Sequence, residues 1–347
     1  MKFALFILAS WLEKDASAQS RIYDEALEQV EFAEELGFDS VWVAEHHSSR
    51  YGIFPSLTPI LSYMAARTKK IRIGTGVSVL PFHNPIRLAE EAAMLDLLSK
   101  GRLEFGVGRG SAFNTYEYLG FGIPMEEAEE RLAEAEELIV KSWTTENLTF
   151  KGKFWNVKFP ALRPVPYQKP HPPIVRACIS EASTLAMARI GRPILIGVQT
   201  AEDTANRLSS YKTEMLGTGF TEKQTENALN QIWVARNMFV AETESKAREL
   251  AQPGFARERK HFREAREIYN PEGFPPLDTS KPLPVGEDFD QATIIGTPSQ
   301  VADQVAELRD LGVRNLMLKI NVGEMDTDAV QKAIKLFGES VMPKFPE

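Results

Sequence analysis

Residues 71–110 decide the fold, and they read IRIGTGVSVLPFHNPIRLAEEAAMLDLLSKGRLEFGVGRG. A run rich in β-branched residues, Ile71–Val79, and an alternating run, Leu103–Val107, have the pattern of two buried strands. Between them, Asn84-Pro85 is typical of a helix start and Lys100-Gly101 of a helix end. The stretch therefore predicts a parallel, right-handed βαβ unit. Both strands carry glycine-rich segments at their carboxyl ends, which indicates a close backbone approach there.

Strand and helix patterns alternate along most of the chain. This alternation is typical of an α/β fold with a parallel sheet, and about eight strands predict a TIM (β/α)8 barrel. The 347 residues exceed the roughly 250 of a plain barrel, so we expect one barrel domain over residues 1–347 with insertions. The expected additions are a hairpin and proline-rich excursion near 148–173 and a candidate lid near 253–290. Besides the two strands of the βαβ unit, the predicted strands are Phe3–Leu8, Ser40–Ala44, Ile174–Ile179, Pro193–Val198, Ile232–Val240 and Arg314–Lys319.

Composition limits the partners and the compartment. A net charge of −8 argues against a nucleic-acid or anionic-membrane partner, because phosphate contacts require a basic surface. The single cysteine, Cys178, excludes an internal disulfide and is expected in the core. The apolar run Phe3–Ala9 is too short for a signal peptide or a membrane span. We therefore expect a cytoplasmic protein.

Polar residues collect at the predicted carboxyl ends of the strands, where TIM barrels carry their active sites. Glu45-His46-His47 follows the second strand. Adjacent side chains on an extended chain point to opposite sides, and no third ligand is spaced to complete a metal site, so we expect no metal. One histidine is expected to face the pocket and move protons, and the other to bond Glu45. Alternatively, both histidines are packing residues.

A second group of residues has the pattern of an anion site. Ser180, Ser183 and Thr184 lie at a predicted helix start, where free N–H groups and the helix dipole attract phosphate. Arg109 follows the fourth strand on the same rim, and Arg131 on the next long helix could turn toward it. The alternative is an ordinary helix cap with two surface arginines.

Two further stretches are candidates for the walls of a pocket. Segment 113–121 is predicted to be an irregular loop, and it carries four aromatic residues. The basic, aromatic stretch 257–263 follows the seventh strand, and it forms either a solvated helix face or part of a lid.

A family resemblance rests on six segments: FDSVWVAEHH (38–47), GTGVSVLP (74–81), LAEEAAMLDLLSKGRLEFGVGRG (88–110), ISEAST (179–184), IGTPSQVADQV (295–305) and LFGESVMP (336–343). In these segments, and over nearly its whole length, the chain resembles the bacterial luciferase-like, flavin-dependent monooxygenases. The resemblance implies a luciferase-like barrel that is usually dimeric and uses reduced FMN and oxygen.

The resemblance also implies roles for particular residues. His46 matches the family histidine that assists flavin and peroxyflavin chemistry, and Gly76-Val77 matches a bond that is often a non-prolyl cis peptide behind the flavin ring. The residues that match the groups holding the FMN phosphate are Arg109, Arg131, Ser180 and Ser183. Luciferase has a reactive cysteine where this chain has Gly108. The smaller residue implies more room for substrate and argues against light emission.

The resemblance, together with the residues that match it, predicts a two-component monooxygenase. A separate flavin reductase would supply reduced FMN, and the enzyme would use it with O2, through a peroxyflavin, to oxygenate a small organic substrate. The chain contains no GxGxxG fingerprint, which agrees with NAD(P)H being consumed by another protein. We also expect a homodimer. The alternatives are an F420-dependent oxidoreductase of the same fold, a non-catalytic flavin-binding protein, and a hydrolase that uses Glu45 and His46.

Overall fold

The computed structural model describes residues 1–12, 15, 17–111, 113–273 and 289–346. Its strands are β1 (Lys2–Ile7), β2 (Ser40–Val43), β3 (Arg72–Thr75), β4 (Ser78–Val79), β5 (Leu103–Gly108), β6 (Leu148–Lys151), β7 (Asn156–Phe159), β8 (Ile174–Cys178), β9 (Ile194–Ile196), β10 (Trp233–Val240), β11 (Thr293–Gly296) and β12 (Asn315–Lys319). Its helices are α1 (Ala18–Leu36), α2 (Leu57–Arg67), α3 (Pro85–Leu98), α4 (Thr115–Gly120), α5 (Ala128–Thr144), α6 (Glu181–Arg189), α7 (Ala201–Gly217), α8 (Glu222–Leu229), α9 (Glu244–Tyr269), α10 (Phe289–Ala292), α11 (Pro298–Asp310) and α12 (Thr327–Ser340). Within the described ranges, no helix has an apolar stretch long enough to cross a membrane.

Eight of the strands pair in parallel and close into a barrel. The order is β1-β2-β3-β5-β8-β9-β10-β12, and β12 pairs again with β1. Each consecutive pair of barrel strands is joined through at least one helix, which is the connection that parallel strands require. The predicted TIM barrel is therefore confirmed.

Two details of the sheet differ from the prediction. The expected strand Ile71–Val79 is divided into β3 and β4, because the chain turns at a cis peptide bond between Gly76 and Val77. Strand β11 was not predicted; it pairs with the second half of β10, outside the closed ring. A four-residue strand next to a proline-rich segment is too short to show a reliable alternation.

Bulky aromatic residues in the barrel interior account for a glycine on a neighbouring strand. Trp42 and Trp233 are almost completely buried there, with ring centroids 5.7 Å apart. A Cβ atom on Gly74 would lie 2.4 Å from the Trp42 ring, so a side chain at that position would displace the indole. At Gly106 the reason is the predicted backbone approach, since a Cβ would lie 2.0 Å from the Thr75 carbonyl oxygen.

The predicted excursion begins with an antiparallel hairpin of β6 and β7, and a proline-rich connection follows it. The expected irregular loop 113–121 was partly wrong, because it contains the short helix α4. In the candidate lid near 253–290, the first part is helical, since α9 continues through Pro253 to Tyr269. The remainder of the predicted lid, residues 274–288, lies outside the described residues.

Candidate functional site

A buried carboxylate organises the carboxyl end of β2. Glu45 Oε1 accepts hydrogen bonds from His47 Nε2 at 3.0 Å and from His83 Nε2 at 2.9 Å, and Glu45 Oε2 accepts one from the Val79 backbone N–H at 3.2 Å. Burial alone would raise the pKa of Glu45, but the charge on His83 and the hydrogen bonds from both histidines outweigh it and lower the pKa to about 2. Burial alone would lower the pKa of His83, but the charge of Glu45 and the hydrogen bond to it outweigh the burial and raise that pKa. This cluster ties β2 to the segment that follows β4.

His46 points away from this cluster, as the alternation of an extended chain requires. Its Nδ1 lies 3.1 Å from the Tyr51 hydroxyl oxygen and 3.3 Å from Glu117 Oε1. The His46 side chain is 21% exposed, and among the described residues no hydrogen bond to its Nε2 is present. His47 therefore bonds Glu45 while His46 is turned away from it, and Nε2 is the His46 nitrogen without a hydrogen bond among the described residues. That His46 faces a ligand pocket stays a prediction.

The Gly76–Val77 bond is cis, as the resemblance implies. Val77 also accounts for Gly108 on the neighbouring strand β5, because a Cβ on Gly108 would lie 2.6 Å from Val77 Cγ2. The expectation that Gly108 leaves extra room for substrate was wrong, since the Val77 side chain occupies that space.

Three of the four predicted phosphate ligands, Arg109, Ser180 and Ser183, follow two paired strands, β5 and β8. The Ser180 hydroxyl caps α6 by accepting from the Ser183 backbone N–H at 3.2 Å; Ser180 is exposed and Ser183 is half-buried. Arg109 follows β5, and its backbone carbonyl accepts the hydroxyl proton of Tyr118. Within the described ranges, the Arg109 guanidinium has no hydrogen bond and no ion pair. Its charge is therefore available to an anion.

Arg131 is placed differently from Arg109. Its guanidinium pairs with Glu127, with Nε at 2.8 Å and a terminal nitrogen at 2.7 Å from the same carboxylate oxygen, and it lies 4.3 Å from the centroid of the Phe154 ring. An anion on Arg131 would have to replace Glu127.

Helix α9 packs against the barrel mouth. Lys319 at the end of β12 pairs with Glu258 of α9 at 2.9 Å, and the Phe262 ring lies 4.6 Å from the Tyr51 ring. A cavity of about 80 Å³ lies beside the Lys319–Glu258 ion pair. Asn237 Oδ1 and Thr293 Oγ1 line the cavity, are buried, and have no hydrogen-bond partner among the described residues. The cavity therefore offers hydrogen-bonding atoms to a small polar group or to two or three waters, at about 30 Å³ each.

Several residues of the site were not predicted. His83 follows β4 in the sequence PFHNP, and its position beyond a strand's carboxyl end was the available signal. Glu117 and Asn114 lie in the aromatic segment and Arg266 in α9, and no local pattern distinguishes them from surface residues. Among the described residues, no group of three or more His, Cys, Asp and Glu side chains is arranged to hold a metal.

The closed parallel barrel places His46, Arg109 and the start of α6 after strands of one sheet, and the carboxyl ends of such strands are where barrel enzymes carry their active sites. The sequence comparison names the family: residues 1–315 match the model of the luciferase-like monooxygenases, and the chain belongs to that family.

Three similar proteins agree with this assignment. The oxygenase component of flavin-dependent trigonelline monooxygenase from Acinetobacter baylyi is 28% identical, over 100% of this chain and 96% of that protein. The crystal structure of monooxygenase RslO1 from Streptomyces bottropensis is 28% identical, with a TM-score of 0.85 over 100% of both chains. The oxygenating constituent of 3,6-diketocamphane monooxygenase from Pseudomonas putida, solved in complex with FMN, is 19% identical, with a TM-score of 0.79 over 100% of this chain and 99% of that chain. The last similarity concerns the fold alone.

Proposed function

We propose that the protein is a two-component flavin monooxygenase, which receives reduced FMN from a separate reductase and oxygenates a small organic substrate. The proposal is carried by two neighbouring strand ends: Arg109, whose guanidinium has no partner among the described residues, follows β5, and the paired strand β8 leads into the serine-capped start of α6. The A. baylyi relative is the oxygenase component of its monooxygenase, which supports the separate reductase. When bound, reduced FMN would supply two electrons and two protons, so that one atom of O2 leaves as water and the other enters the substrate.

The residues of the rim fit the phosphate of FMN. Arg109 offers a planar set of N–H donors, and Ser180 and Ser183 offer hydroxyls at the positive end of the α6 dipole. Each charge-assisted hydrogen bond would contribute about 1.5–3 kcal/mol. Arg131 would join them by exchanging Glu127 for the phosphate, so we assign it the weaker contribution.

His46 would act at the other end of the bound cofactor. Its Nδ1 is engaged by Tyr51 and Glu117, so Nε2 is the atom that would hold or move a proton there. Gly76 and Val77 are proposed as the backbone surface on which the flavin ring rests. Near them, Phe82 stacks on Phe121, with centroids 4.6 Å apart and planes 5° apart, and these apolar rings would keep water from the ring.

A homodimer is part of the proposal. Helices α2 and α3 expose large apolar side chains on neighbouring surfaces, namely Tyr63, Met94, Leu97 and Leu98, which are 40–59% exposed. Apolar side chains grouped in this way mark an interaction surface. A second copy of the same chain is the partner we propose for it.

Anaerobic titration of the purified protein with reduced FMN, and separately with reduced F420, tests the cofactor. We expect binding of reduced FMN that R109A weakens about tenfold or more, with an unchanged far-UV spectrum. R314A is the matched control, since Arg314 is an exposed arginine at the opposite end of the barrel. Selective binding of F420, or no binding of FMN, would refute the proposal, and an unchanged affinity of R109A would remove Arg109 from the site.

Turnover with a flavin reductase and a panel of organic substrates tests the reaction. We expect oxygenated product in the wild type, and we expect H46A to keep FMN binding while losing coupled product formation. FMN binding without substrate-dependent oxygen consumption would favour the non-catalytic alternative. Turnover without flavin or oxygen would favour the hydrolase.

A further inference from the structure

The contacts of His46 Nδ1 indicate where the imidazole carries its proton. Glu117 Oε1 lies 3.3 Å from Nδ1, and the Glu117 side chain is only 3% exposed. A carboxylate can only accept hydrogen bonds, so an unprotonated Nδ1 would direct a lone pair at another acceptor inside the protein. A proton on Nδ1 turns this repulsion into a charge-assisted hydrogen bond.

The neighbouring hydrogen bonds agree with this assignment. The side-chain amide of Asn114 donates to Glu117 Oε1 at 3.3 Å and to the Tyr51 hydroxyl oxygen, and its carbonyl accepts from Arg266 Nε at 3.0 Å. The amide donates to both partners, so Glu117 and the Tyr51 oxygen each accept from Asn114. Glu117 as a carboxylate has no proton to donate to Nδ1, whereas the Tyr51 hydroxyl keeps its own proton, which points away from Nδ1 when Nδ1 is protonated. Burial and the charge of Glu117 raise the pKa of Tyr51, so its phenol remains neutral.

We propose that Glu117 is a positioning residue that holds the proton of neutral His46 on Nδ1 and leaves Nε2 unprotonated toward the ligand. The nitrogen that carries the proton in a histidine is set by the hydrogen bond of the other nitrogen. Nε2 is then ready to accept a proton from the bound cofactor or substrate, and the imidazolium that results lies beside the buried carboxylate. This role rests on the proposed function, whereas the tautomer itself does not.

The same contacts connect His46 to helix α9. The Arg266 guanidinium, which holds Asn114, lies 3.3 Å from the centroid of the Phe262 ring, and that ring packs on Tyr51. Asn270, directly after α9, accepts from the Tyr116 backbone N–H at 3.1 Å and donates to the Phe113 carbonyl at 2.8 Å. The end of α9 therefore holds α4, and with it Glu117, in position against His46.

Long-range ¹H–¹⁵N correlation NMR of the full chain, labelled with ¹⁵N-histidine and free of flavin, tests the proposal. The chain has five histidines, and H46N identifies the signals of His46. On the alkaline side of its titration, we expect a protonated Nδ1 and an unprotonated Nε2. E117A should lower the ratio of the Nδ1–H to the Nε2–H form roughly tenfold or more, the loss expected for a charged hydrogen bond.

Two conservative variants and one control make the result specific. E117Q keeps an accepting oxygen and should retain the Nδ1–H form, and Y51F should retain it because Glu117 is still present. E126A removes an exposed glutamate of the same region and should change nothing. An Nε2–H tautomer in the wild type, or an unchanged ratio in E117A, would overturn the proposal.

Folding and cofactor binding are measured separately. The far-UV spectrum shows whether E117A folds. If it does not, E117Q and Y51F still test the proposal. Loss of the Nδ1–H form in Y51F alone would assign the positioning role to Tyr51 instead of Glu117. Since the spectra are recorded without flavin, their outcome is independent of the FMN titration. The tautomer assignment and the proposed function can therefore fail independently.

Discussion

Replacing Glu45 by glutamine removes the carboxylate that holds His47 and His83 together. Glu45 is 3% exposed, and its pKa is lowered from the ordinary 4.5 to about 2. Because a tenfold change in proton affinity corresponds to about 1.4 kcal/mol, the folded protein favours the ionised form by roughly 3 kcal/mol. We therefore expect E45Q to lower the free energy of unfolding by about 3 kcal/mol, the usual loss when one partner of a buried ion pair is removed.

The pH dependence of this effect has a definite sign. The folded-state pKa of Glu45 lies below its unfolded value, so its contribution is complete above about pH 4.5 and is lost as the pH falls toward 2. The folded-state pKa of His83 lies above its ordinary 6.5, so its contribution is complete below that pH and is lost as the pH rises through the raised value. The stability difference between wild type and E45Q should therefore be largest between about pH 4.5 and 6.5.

Urea denaturation followed by tryptophan fluorescence, inside and on both sides of this pH window, measures the effect. The matched control is E264Q, which removes an exposed carboxylate 3.6 Å from His261 and should cost less than about 0.5 kcal/mol. A loss below about 1 kcal/mol for E45Q inside the window would refute the reasoning, because the cluster would then be no stronger than a surface pair.

Two further predictions concern packing and assembly. G108A should lower the free energy of unfolding by about 1–3 kcal/mol, since its Cβ would lie 2.6 Å from Val77 Cγ2. Thermal unfolding measures this loss, and the G108A/V77A double variant should recover part of it. A G108A protein as stable as the wild type would contradict the packing argument. L98E should convert the proposed dimer to monomer in sedimentation velocity, because Leu98 is 59% exposed on α3. A wild type that is already monomeric would remove that surface from the proposal.

Features that depend on short stretches of chain were predictable from the sequence. The Asn84 side chain caps α3 by accepting from the backbone N–H groups of Ile86 and Arg87, as its position before a proline predicts. The opposite orientations of His46 and His47 follow from the two-residue period of extended backbone alone. The barrel was predictable for the same reason, since each strand and helix pattern is local and the parallel order follows from their alternation.

The partners of His46 were not predictable, because they come from distant parts of the chain. Glu117 is 71 residues from His46, and the Arg266–Asn114 hydrogen bond joins residues 152 apart. A glutamate in an aromatic segment and an arginine in a charged segment have no local pattern that separates them from solvated side chains. Their roles follow from the packing of α4 and α9 against the carboxyl end of β2.

The path of α9 is a further feature that depends on tertiary packing. A proline inside a helix removes a hydrogen bond at a cost of about 3 kcal/mol, and α9 contains Pro253. Helix α9 nevertheless continues, since Phe255, Glu258 and Arg266 recur on one helical face and are buried against the barrel, and tertiary packing outweighs the local cost. That helix carries Glu258, which pairs with Lys319, and Arg266, which donates to Asn114. The side chains at the mouth are therefore determined as much by the path of α9 as by the strand ends.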